Sequence, residues 1–154
     1  MNAMTTIVTY VLTSLVAGLL GGAAMELTMW LISRGGWAKG DMIVALGSLV
    51  TKSRENAYRV GAILHAISAV GFAAVYVMLM IALGFTHLPH SLALGVGVGV
   101  LHGMIVSLML VWVISEQHPL QEFNEAGFAV GLTHFVAHVA FGAVVGLVVG
   151  ISPL

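Results

Sequence analysis

Residues 124–150 read NEAGFAVGLTHFVAHVAFGAVVGLVVG. Beyond its first two residues this run holds no Asp, Glu, Lys or Arg. At about 1.5 Å per residue it is long enough to cross the ~30 Å hydrocarbon core of a bilayer as a helix. Asn124 is the expected N-cap. His134 and His138 lie one helical turn apart inside the run, on a side that also carries Gly127, Gly131, Gly142, Gly146 and Gly150.

Three further segments have the same character. They span about residues 6–33, ending at Arg34, about 58–83, ending at Gly84, and about 91–115, following Pro89. Four such segments predict an all-α fold, a four-helix transmembrane bundle in which residues 1–154 form one integral membrane domain. Composition agrees: 60% of residues are hydrophobic and 7% charged, whereas soluble domains are about a quarter charged. The mean hydropathy is +1.08. An ordinary soluble protein is excluded, and a formal net charge of −1 gives no general affinity for nucleic acid. The chain has no cysteine, which rules out disulfides, thiolate metal sites and cysteine redox chemistry. Residues 1–10 lack Lys and Arg, so the first segment reads as a retained helix rather than a cleaved signal.

All five basic residues, Arg34, Lys39, Lys52, Arg54 and Arg59, fall between the first two spans. By the positive-inside rule that loop is cytoplasmic and both termini face outward. The loop also contains DMIVALGSLVTK (41–52), apolar, bounded by charges and too short to span. It reads as a short interfacial or re-entrant helix between spans one and two, capped by Asp41. The acidic stretch from Glu116 to Glu125 reads as a solvated loop on the same side.

Every span carries an ionisable group. Glu26, His65, His102, His134 and His138 stand where such residues are expensive, and intramembrane ionisable residues mark functional sites by default. Helices approach closely in lipid through small residues spaced by four. Gly18 and Gly22 lead to Glu26, Gly61 leads to His65, Gly95 and Gly99 lead to His102, and Gly127 and Gly131 lead to His134 and His138. All five polar groups therefore belong on inward faces. Counting roughly 1.5 Å per residue from the basic-loop side places His65 about 9 Å deep, Glu26 about 12 Å, His134 about 15 Å, and His102 and His138 about 20 Å.

Imidazole with carboxylate is a common ligand set for transition metals. His134-x-x-x-His138 offers two imidazoles on one helix, and Glu26, His65 and His102 add donors from the other three. The leading expectation is a transition-metal ion (Fe, Cu or Zn) held by these five residues or a subset. Residue 135 is Phe, so the zinc-protease pattern is absent, and no E-x-x-H pairs of the di-iron type occur. Haem b ligated by His102 and His138 is a second reading. A proton or cation pathway through the His/Glu set is a third. A purely structural membrane subunit is the fourth. Met25 and Met29 flank Glu26; thioethers bind Cu(I), but methionine more often fills irregular space. The chain has little mass outside the spans, which suggests other membrane subunits or a homo-oligomer as partners besides the lipid bilayer.

Four stretches, AGLLGGAAME (17–26), GAILH (61–65), EQHP (116–119) and HFVAHVAFG (134–142), resemble those of small four-span prokaryotic inner-membrane proteins grouped as a domain of unknown function. The resemblance implies the four-span fold and a prokaryotic plasma (inner) membrane, and adds no activity.

Overall fold

A computed structural model describes residues 3–38, 41–124 and 127–154. Lys39 and Glu125, counted above among the loop charges, lie outside these. The described residues are almost wholly helical and include no strand. Helix α1 spans Ala3–Arg34, α2 Met42–Thr51, α3 Ala57–Leu83, α4 His90–Met109 and α5 Phe128–Ile151. Helix α4 continues through a π-helical turn, Leu110–Ile114, in which the Ser115 amide donates to the Leu110 carbonyl at 3.0 Å. With that turn included, α1, α3, α4 and α5 are each long and apolar enough to cross a membrane. The chain is a multi-pass membrane protein with the four-helix bundle expected of it.

Helix α2 is the expected short helix between the first two spans. The Asp41 carboxylate accepts from the Val44 amide at 3.3 Å, an N-cap bond, and Lys52 closes the helix in the left-handed region at φ 56°. The boundary of α5 differs from expectation. Its N-cap is Gly127, three residues later than Asn124, which instead closes a 3-10 turn, Gln121–Phe123. Capping preference favours Asn over Gly, but the tight Gln121–Phe123 turn uses Asn124 in its own hydrogen bonding: the Asn124 amide donates to the Gln121 carbonyl at 3.1 Å.

Small residues decide which helices touch. Helix α1 lies between α3 and α5, α4 packs along α5, and α2 packs along α3. Gly18 and Gly22 meet Ala69 and Val70 of α3, while Gly21, a quarter-turn away, takes the Phe141 ring of α5. The α4–α5 crossing runs through Gly95, Gly99 and Gly103 against Gly142, Gly146, His138 and Phe135. A Cβ on Gly95 or on Gly142 would run into the carbonyl of the other. Gly61 does not face another span. It packs against Ile43 and Gly47 of α2, so closely that a Cβ on either glycine would enter a backbone carbonyl of the opposite helix.

Helices α3 and α4 make little contact with each other. The bundle is thus a curved row, α3–α1–α5–α4, whose two ends approach without closing. The outer faces carry Leu19, Leu27, Ile63, Ile67, Leu101 and Ile105, all exposed, as a lipid-facing surface requires.

Candidate functional site

The gap between α3 and α4 leads into a cavity of about 250 Å³. Helices α1 and α5 form its back wall. Helix α2 and residues 115–123 close the end nearest the basic loop. His65, His102, His134 and His138 all line it, with Phe72, Phe141 and Met25 among the apolar residues between them. Four of the five ionisable residues singled out by sequence therefore share one chamber. Glu26 stands behind His65, its Oε1 3.4 Å from His65 Nε2.

The tautomers on α5 follow from hydrogen bonding. His134 Nδ1 lies 2.8 Å from the Val130 carbonyl, and His138 Nδ1 lies 2.7 Å from the His134 carbonyl. A carbonyl only accepts, so each Nδ1 carries the proton and donates it. In the neutral ring Nε2 is then a bare lone pair. This is the arrangement in which a metal-ligating imidazole is held, its other nitrogen fixed by a backbone carbonyl. His134 is 3% exposed, and its Nε2 has no hydrogen-bond partner. His65 Nε2 and Glu26 Oε1 are likewise buried and unpartnered; their 3.4 Å approach lacks hydrogen-bond geometry. Buried polar groups are almost always satisfied, so these three orphaned polar atoms call for an explanation.

His102 and His138 form a second group. Their rings meet edge to face with centroids 4.6 Å apart, and Phe72 tilts onto His102 at 4.3 Å. Tyr76 shares a 3.1 Å hydrogen bond with His102 Nδ1 and packs edge-on against Phe141. His138 is central, within electrostatic reach of His65, His102 and His134. Among the described residues, however, no three His, Asp or Glu side chains converge closely enough to hold a metal ion as they stand.

The floor of the cavity was not legible as such. His118 is 6% exposed rather than solvated. The Leu120 amide donates to its Nδ1 at 3.1 Å, which leaves Nε2–H to donate to the Ala45 carbonyl of α2 at 3.1 Å. Beside it Arg54 grips Glu122 through two bonds of 2.6 and 2.8 Å. These bonds hold the Glu122 carboxyl below, and the Arg54 guanidinium above, their usual pKa ranges. The signal in the sequence was opposite charge in two loops on one side of the membrane, with a His-Pro pair in the acidic one. Met25 and Met29 are both core residues, as the packing reading of methionine expects.

No protein-family model matches the chain, and neither a curated protein nor a solved structure matches it.

Proposed function

We propose that this membrane protein holds a transition-metal ion through Glu26, His65 and His134, at the basic-loop end of its bundle. The observation that carries the reading is the Glu26 Oε1–His65 Nε2 pair, buried, unpartnered and 3.4 Å apart without a hydrogen bond. Two ligands on one tetrahedral ion, each about 2.0–2.1 Å from it, stand roughly that far apart. His134 supplies a third lone pair, aimed by its Nδ1–H bond to Val130. Gathering all three donors takes an adjustment of α5 against α1 and α3, since they do not yet converge. A bound cation would satisfy all three orphaned atoms and offset the cost of a carboxylate in lipid. Asp41, exposed on the cavity rim, offers a carboxylate where a cation would enter from the aqueous edge.

Three protein ligands leave a coordination position open, as in sites that act on a substrate rather than merely brace a fold. Within that reading the protein serves as an accessory of a membrane redox or metal-handling assembly, with the basic loop cytoplasmic. Haem b has less support, because its ligands His102 and His138 are in ring contact and a flat macrocycle would have to part them. Elemental analysis and an optical spectrum on protein purified without chelator test the reading. Near-stoichiometric Fe, Cu, Zn or Mn without a Soret band is expected. A Soret band that shifts on reduction would replace the ion with haem, and apoprotein that takes up no metal would overturn the proposal.

A further inference from the structure

The proposed metal ligands leave His102, His138 and Tyr76 unused, although they line or adjoin the same cavity. Three observations bear on what they meet. The first is access. Ser68 is exposed and Phe72 is 46% exposed, yet both line the cavity from α3, while Val106, Leu110 and Ile114 line it from α4. The mouth thus lies in the α3–α4 gap, at a depth where the surrounding medium is lipid. The floor is latched by His118 to Ala45 and by Arg54 to Glu122. An apolar occupant therefore has a route into the chamber from the bilayer through this mouth.

The second is shape. The lining is apolar and aromatic, with Phe72, Phe141 and the His102 and His138 rings presenting faces and edges. An engineered apolar cavity of ~150 Å³ holds benzene, so about 250 Å³ accommodates one substituted six-membered ring. A longer apolar tail would pass out through the mouth.

The third is hydrogen-bond polarity. The Nδ1 protons of His134 and His138 are spent on backbone carbonyls, so each Nε2 is a lone pair; that of His134 is fully buried, and that of His138 faces the chamber. A guest that donates a hydrogen bond finds a partner in His138 Nε2; one that only accepts leaves it unpaired. A buried acceptor left unpaired is costly, which discriminates between such guests.

We infer that the chamber is a binding site for a lipid-soluble hydroquinone, entered between α3 and α4, with a ring hydroxyl donating to His138 Nε2 and the ring lying against His102 and Phe72. The reduced, hydroxyl-bearing form is preferred to the quinone. The inference rests on the cavity and its tautomers and does not require a bound ion.

The test is equilibrium binding of a tritiated short-tailed hydroquinone to the intact protein in detergent, under reducing conditions, measured by scintillation proximity. It is run on chelator-treated and on metal-loaded protein. Saturable binding is expected in both. The corresponding quinone and the hydroquinone dimethyl ether, which lack the donor hydroxyls, should compete at least tenfold less well. Ser68→Trp, at the exposed mouth and outside the proposed metal ligands, should weaken binding at least tenfold without changing metal content or thermal unfolding. His138→Phe should weaken it while leaving the dimethyl ether's weak competition unchanged. Absence of saturable binding, equal competition by the dimethyl ether, or full binding by Ser68→Trp would each overturn the inference. Hydroquinone binding by a protein that takes up no metal would sink the metal site alone, and metal uptake without hydroquinone binding would sink this inference alone.

Discussion

His118 in the segment after α4 donates through Nε2 to the carbonyl of Ala45 in α2 at 3.1 Å, across 73 residues of chain. This bond turns two loops into the floor of an intramembrane chamber. One side of the ring receives the Leu120 amide and the other grips α2, so the neutral imidazole is fully used.

Replacing His118 with Ala removes both bonds and leaves the partly buried Leu120 amide without its partner. A loss of about 1–3 kcal/mol is expected, from the net value of the bonds and the unsatisfied donor. Thermal unfolding in detergent should shift down, and amide exchange in residues 42–51 should speed up more than exchange in α5. Unchanged exchange in α2 would show that the latch does not hold it.

The Arg54–Glu122 pair adds a pH-dependent clasp to the same floor. Glu122 is held below its usual value of 4.5, first by the hydrogen bond from Arg54. A carboxyl depressed in the folded state contributes stability that is full above its unfolded value and is lost as pH falls through the lower folded value. Both side chains are exposed, at 62% and 43%, so the effect is modest and sensitive to salt. Spin labels in α2 and on residues 115–123 should show the distance between them broaden as pH falls below the ordinary carboxylate range, or in high salt. Glu122→Gln should show that broadening already at neutral pH, with no further change on acidification.

The glycines separate into two kinds, and alanine substitutions distinguish them. Gly61→Ala places a methyl in the Ile43 carbonyl, with backbone rather than a flexible side chain in the way. A cost of about 1–3 kcal/mol or more is expected, with α2 displaced from α3. Gly71 and Gly97 have open space around them in the middle of helices. Alanine there should be neutral or stabilising by up to about 1 kcal/mol. Comparable loss at all three positions, measured by unfolding in the same detergent, would refute this assignment of contacts.

The spans, the short helix capped by Asp41 and the inward set of polar residues were all legible in the sequence, because each rests on a local signal. A hydrophobic run has a length, Asp41 precedes an apolar stretch, and an ionisable residue in lipid stands out against its neighbours. Which helix faces which was not legible. In lipid a helix is apolar all round, so no hydrophobic stripe tells α1 that its neighbours are α3 and α5. Gly61 illustrates the limit: its role as a contact glycine was readable, but its partner is α2 rather than another span. The open α3–α4 side, and with it the mouth of the cavity, follows from that missing information. His118 was obscured differently, since a histidine among acids in a loop has the composition of a solvated one until its buried hydrogen bonds are seen.

Metal titration of chelator-stripped protein, with Glu26→Gln and His65→Phe alongside the unaltered chain, tests the central claim most directly. The unaltered protein should bind one of Fe, Cu, Zn or Mn saturably and near-stoichiometrically. Each variant should lose at least roughly tenfold in affinity, the scale that even changes outside the ligand shell reach, while its helix content and unfolding temperature are retained. No saturable binding of any of these ions, or undiminished binding by both folded variants, would contradict a metal site built on Glu26 and His65.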